Sequence, residues 1–201
     1  MKPIRNIDFL YEIGCYRYVP RMWTQFLGPD FANDSEHSFR VVWIALLLAE
    51  QEGKGNKEKI MKMALIHDLP ESRMGDTHYI SRMYNTREHE DRALEDIFDK
   101  TSVRKEFLAL WQEYKKRKSI ESKIVKDADT LDVDLELMEQ GARGDSLKKL
   151  WLPQRKVVAK TIFTKSAKKM WQDIYKTDPR NWIIKATNRL NKGDWKKFKK
   201  E

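Results

Sequence analysis

From Ser35 onward, apolar residues recur at three- and four-residue intervals in almost every segment, and no stretch alternates in the two-residue rhythm of a half-buried strand. That spacing admits an all-α chain and argues against a sheet. Ser35 can cap a first helix whose inward stripe is Val41, Ile44, Ala45 and Leu48, ended by the Gly53–Gly55 segment. A second runs from about Asn56 through Ile60, Met63, Ala64 and Ile66. Pro70 disfavours helical geometry at Leu69, so the chain should bend just beyond Asp68. Residues 77–86 read as loop, then Arg87–Phe98, Ser102–Arg117 and Ser119–Gln140 as helices, the last with Ile124, Ala128, Leu131, Leu135 and Met138 on one face. Arg155–Tyr175 reads as one long amphipathic helix, Asp178 and Pro179 start another, and Lys196–Glu201 is a solvated tail.

At 201 residues with 40% hydrophobic content, the chain suits one core, hence a single domain over 1–201. The first twenty residues carry charges and no apolar run, and no segment approaches the roughly 20 apolar residues of a membrane span. The single cysteine, Cys15, has no internal disulfide partner. These features imply an intracellular, cytoplasmic protein without membrane association. Its charge of +9 is uneven: residues 141–201 hold 18 Lys/Arg against 5 Asp/Glu, a balance of +13, which leaves −4 for residues 1–140. Residues 145–201 therefore form a basic helical extension packed on the rest. With Trp171, Tyr175, Trp182, Trp195 and Phe198 among its lysines, it is open to nucleic acid as a partner or to burial of an apolar face.

The chemistry is concentrated in "ALIHDLPESRMGD", Ala64–Asp76. His67 and Asp68 sit at a helix end where a bend lets adjacent side chains converge. His37 begins the first core helix, near the edge of its buried face. Asp127 lies on the apolar stripe between Ile124 and Leu131, and a buried carboxylate must be paired or metal-bound. Asp134, seven residues on, shares that side and is its rival, whereas Asp129 and Asp132 are expected to face solvent. Two imidazoles and two carboxylates suit one divalent ion, namely cobalt, manganese, nickel, iron, zinc or magnesium.

The combination of His37, His67–Asp68 and Asp127 in "KDADTLD", with Glu71 three residues and Gly75–Asp76 seven and eight residues after Asp68, resembles the HD-domain metal-dependent phosphohydrolases. It is most similar to their 5′-deoxynucleotidase branch, over roughly residues 30–140. The resemblance implies an HD-domain helical bundle with additional C-terminal helices, and a metal held by His37, His67, Asp68 and Asp127. It implies that Asp68 and Glu71 are catalytic, with Glu71 moving a proton, that Asp76 contacts the sugar, and that "RMW" supplies Arg21 for phosphate and Trp23 for the nucleotide, with Arg17 as the alternative arginine. It further implies hydrolysis of nucleoside 5′-monophosphates, deoxyribonucleotides in particular, by a homodimer. Arg73 offers another guanidinium, expected to face solvent or pair with a carboxylate. Arg82, His78 and His89 carry no assigned role. A nucleoside triphosphate hydrolase or phosphodiesterase with the same cluster, and a basic nucleic-acid-binding module with a structural metal, are the competing readings.

Overall fold

A computed structural model describes residues 5–28, 31–78, 80, 83–84 and 87–184. Arg82, Trp195, Phe198 and the tail expected over Lys196–Glu201 lie outside them, as does most of the second half of the 77–86 loop. The described residues are helical, with no strand beyond an isolated bridge between Pro20 and Asn33. The helices are α1 (Asn6–Cys15), α2 (Trp23–Leu27), α3 (Asp34–Glu52), α4 (Lys57–Ile66), α5 (Glu71–Met74), α6 (Arg87–Ile97) and α7 (Arg104–Lys116). They are followed by α8 (Ile120–Ala142), α9 (Leu147–Ala159), α10 (Lys165–Ile174) and α11 (Asn181–Ile184). Among the described residues, no helix is long and apolar enough to cross a membrane.

Three helices make the centre. The α3 stripe of Val41, Ile44, Ala45 and Leu48 is buried against Ile60, Met63 and Ala64 of α4 and Ile124, Val125, Ala128 and Leu131 of α8. Phe98, just past α6, closes one end, stacking on Phe107 at 5.4 Å and tilting against Phe9 of α1 at 5.5 Å. The start of α3 is fixed by Asn33, two residues before the expected Ser35. The Asn33 side chain accepts from Glu36 N at 3.0 Å, and Glu36 accepts in return from Asn33 N at 3.0 Å, so a reciprocal capping box satisfies two otherwise unpaired donors. At the other end Gly53, with φ +61°, closes the helix in the left-handed conformation that glycine adopts without penalty. These two ends set where His37 falls, one turn into α3.

The long amphipathic pattern expected as one helix over Arg155–Tyr175 is two. α9 begins earlier, at Leu147, and stops at Ala159; α10 starts at Lys165 behind a Thr164 cap. Between them Ile162 drops into the core, and a carboxylate from α8 accepts from the amides of Phe163 and Thr164 that no helix partner meets. Ala167 and Ile174 of α10 are also buried in that core. Thus α8 is covered on several sides, by α3, α4, α7, α9 and α10.

Candidate metal centre

His37 from α3, His67 and Asp68 from the turn after α4, and Asp129 from α8 each offer a ligand atom, all within 4.8 Å of one another. His37 Nε2 lies 3.2 Å from His67 Nε2, 3.4 Å from Asp68 Oδ2 and 3.5 Å from Asp129 Oδ1, and His67 Nε2 lies 3.3 Å from Asp68 Oδ2. Metal–ligand bonds of about 2.0–2.2 Å in a tetrahedral set put neighbouring donors roughly 3.3–3.6 Å apart, so these spacings are edges of a coordination polyhedron.

The outer nitrogens decide which atoms face inward. His67 Nδ1 donates to the Ala64 carbonyl at 2.7 Å, and His37 Nδ1 donates to Asp132 Oδ2 at 2.6 Å, since neither oxygen can donate in return. In the neutral rings both Nε2 lone pairs then point into the same small space, 3.2 Å apart and beside two carboxylates. That arrangement calls for a cation. Burial and Arg21 pull the His37 pKa down, yet its bonds to Asp129, Asp132 and Asp68 outweigh them and hold it well above its usual value. The donor set fits a divalent ion, and Asp132 and the Ala64 carbonyl are the outer partners that orient the two rings.

Each carboxylate is supported differently. Asp129 turns its other oxygen to Lys126 Nζ at 2.6 Å, and its pKa stays well below the usual range: burial raises it, but Lys126 and His37 prevail. Asp132 is held down likewise by His37 and Arg40 against its burial; Arg40 also forks onto Glu139 at 2.8 Å. The turn carrying Asp68 is braced by the Tyr16 hydroxyl, which donates to the Asp68 carbonyl at 3.2 Å.

Asp127 is not in this cluster. It faces away from the histidines and accepts from Phe163 N at 2.9 Å, Thr164 N at 2.8 Å and Thr164 Oγ1 at 2.7 Å. Its burial is met by the backbone between α9 and α10 rather than by an ion. Its rival Asp134 is also elsewhere, buried under Arg155 at 2.9 and 2.7 Å and the Tyr175 hydroxyl at 2.7 Å. Of the two aspartates expected in solvent, Asp129 supplies the fourth donor of the cluster and Asp132 orients the His37 ring. A readable signal existed in Asp129, Asp132 and Glu136: acids at i, i+3 and i+7 share a helix face, where like charges repel unless a cation offsets them.

Next to the metal cluster lies a second acidic group, Asp34, Glu71 and Asp76, gathered around Arg21. Pro70 lets the chain turn into the single-turn α5, and Gly75, with φ +75°, turns it out again towards Asp76. Arg21 is buried, with nitrogens 3.5 Å from Asp68, 3.8 Å from Asp34 and 3.7 Å from Asp76, and its Nε–H has no acceptor. Burial, then Asp68, Asp76 and Asp34, push the Glu71 pKa well above the ordinary carboxylate value, and its buried Oε2 has no hydrogen-bond partner. Burial and Asp76 push Asp34 up to about 7, with Arg21 opposing them. Asp76 accepts from Met22 N at 2.8 Å, which ties the Arg21–Trp23 segment to the loop after α5. Trp23 meets Trp151 edge-on. Arg17 instead lies over the Tyr18 ring, Arg73 pairs with Glu12 at 2.6 Å, His78 accepts from Ile80 N, and His89 is exposed.

The HD-domain family model matches residues 13–171. The chain belongs to the HD-domain family. This HD-domain chain is 31% identical over 141 residues to the 5′-deoxynucleotidase HDDC2 of Danio rerio, covering 66% of this chain and 68% of that one. It is 30% identical over 153 residues to the 5′-deoxynucleotidase HDDC2 of Dictyostelium discoideum, covering 71% and 77%. Among solved structures, a conserved hypothetical protein from Pyrococcus furiosus superposes with a TM-score of 0.70 at 29% identity, covering 85% of this chain and 99% of that one. PH0347 from Pyrococcus horikoshii OT3 gives 0.66 at 27%, covering 87% and 98%. With this fold and the clustered histidine and carboxylate donors, the HD-domain chain is a metal-dependent phosphohydrolase.

Proposed function

We propose that the chain hydrolyses nucleoside 5′-monophosphates, with deoxyribonucleotides as its substrates, to nucleoside and inorganic phosphate. The observation carrying this reading is the buried Arg21 guanidinium, with an unused Nε–H, set between the metal cluster and the acidic group of Glu71 and Asp76. The likeness to two 5′-deoxynucleotidases supports the choice of substrate.

His37, His67, Asp68 and Asp129 would hold the ion, which supplies an acidified water and neutralises phosphate oxygen charge. Arg21 binds the phosphate through a planar donor array, and its present carboxylate neighbours hold it in place until substrate arrives. Glu71, whose pKa burial and its acidic neighbours raise, gives a proton to the leaving sugar oxygen. Asp76 accepts from a sugar hydroxyl with the oxygen not engaged by Met22 N, and Trp23 lies against the nucleotide. A homodimer belongs to the same reading and is checked by the solution mass.

The test is phosphate release from a panel of ribo- and deoxyribonucleoside mono- and triphosphates with several divalent metals, using His67→Ala as control. Metal-dependent, His67-dependent release of orthophosphate from deoxyribonucleoside monophosphates is expected. Pyrophosphate or triphosphate release would move the assignment to a triphosphate hydrolase, and no release from any nucleotide would overturn it.

A further inference from the structure

Trp151 lies on α9 in the basic C-terminal part of the chain, four residues before Arg155. Arg155 anchors α9 on α8: it forks onto Asp134 and donates to the Thr130 carbonyl at 2.7 Å. Side chains four apart share a helix face, so Trp151 lies one turn along the face that α9 applies to α8. Its indole meets Trp23 at 4.8 Å between ring centroids and 76° between planes. Trp23 is bound to the site from the other direction, since Met22 N is held by Asp76 and Arg21 reaches Asp68 at 3.5 Å.

The indole pair therefore joins two elements, α2, which carries Trp23 next to the phosphate-side arginine, and α9, which Arg155 fixes on α8. Both rings are only partly buried. An edge-to-face contact engages the face of only one of the two rings, and aromatic stacking accepts any base because every base has a π-face. Resting on the nucleotidase reading above, we infer that Trp151 joins Trp23 in seating the nucleobase, and so is a substrate-contacting specificity residue supplied by the C-terminal helices.

The experiment compares wild type, Trp151→Ala and Trp151→Phe on a nucleoside 5′-monophosphate and on 2-deoxyribose 5-phosphate, which lacks the base, alongside calorimetric binding of the nucleoside alone. Loss of one stacking partner should raise KM for the nucleotide by about 5- to 150-fold with kcat little changed. The baseless ester should be unaffected, nucleoside binding should weaken in proportion, and phenylalanine should retain most of both. An equal loss on the two esters, or no loss on either, would overturn the inference, because a ring that only packs α9 cannot discriminate between them. If Trp151→Ala is unfolded at the assay temperature, Trp151→Phe against Trp151→Leu makes the same comparison. If wild type releases phosphate from no nucleotide, the nucleotidase reading fails, and nucleoside binding then decides the Trp151 assignment on its own.

Discussion

Replacing Asp127 and Asp129 separately should produce opposite phenotypes, although only one residue lies between them. Asp127 is 1% exposed and its carboxylate receives three hydrogen bonds, two from backbone amides in the α9–α10 connection. Hydrogen bonds to a charged group contribute ~1.5–3 kcal/mol each, and a buried donor left unmet costs ~1–3 kcal/mol. These terms overlap, so Asp127→Ala should lose about 3–4 kcal/mol in total, which for a domain of this size lowers Tm by roughly 6–16 °C. Metal binding measured below that Tm should be unchanged. Asp129→Ala loses the contacts with Lys126 and His37 but also relieves repulsion with Asp68, so its metal-free Tm should fall less than that of Asp127→Ala, and it should weaken metal binding beyond the ~10–100-fold typical of losing an outer partner. The assays are thermal unfolding by circular dichroism in chelator and metal content after dialysis against fixed free manganese. A metal-free Asp127→Ala with wild-type Tm, together with a metal-loaded Asp129→Ala, would refute the assignment of α8's faces.

Glu71→Gln should retain metal yet lose most turnover; equal activity in the metal-loaded variant would remove Glu71 from proton transfer. Asp132→Asn should cost ~10–100-fold in metal affinity by equilibrium dialysis, because His37 loses the charged acceptor that fixes its inward nitrogen. Asp34 is fully buried, its oxygens lack hydrogen-bond partners, and its pKa is raised from an unfolded value near ~3.9 to about 7. A raised acid favours the folded state at low pH and loses that contribution as pH climbs through the folded value. In chelator, Asp34→Asn should therefore melt above wild type at pH 8, with the difference closing as pH falls towards 4; a constant difference would count against ionisation of Asp34 as its cause. Arg155→Met strands Asp134 in the core and should cost ~3–5 kcal/mol by urea unfolding, with Asp134→Leu added in the double variant recovering much of it.

The parts of the molecule that follow from neighbours in sequence were legible in advance. α3, α4 and α8 lie where their apolar stripes and flanking Gly53, Asn56 and Ser119 place them, and His67, Asp68 and Glu71 are brought together by a turn that Pro70 announces. The fourth ligand was not, because it depends on how α8 is rotated among several helices. A stripe such as Ile124, Ala128 and Leu131 identifies one inward face, and this is a complete description only for a helix with a single covered side. α8 has several. Asp127 and Asp134 face the C-terminal helices, and Asp129, two residues and about 200° from Asp127, faces α3 with Asp132. Burial on a stripe therefore says that a carboxylate needs a partner without saying which. The partner differs at each position: backbone amides for Asp127, a guanidinium and a phenol for Asp134, an imidazole and Arg40 for Asp132. Asp129 alone in this row has one oxygen on a lysine and the other turned towards two imidazole lone pairs. That pairing leaves a carboxylate oxygen facing other electron donors, and a shared cation is what makes it stable.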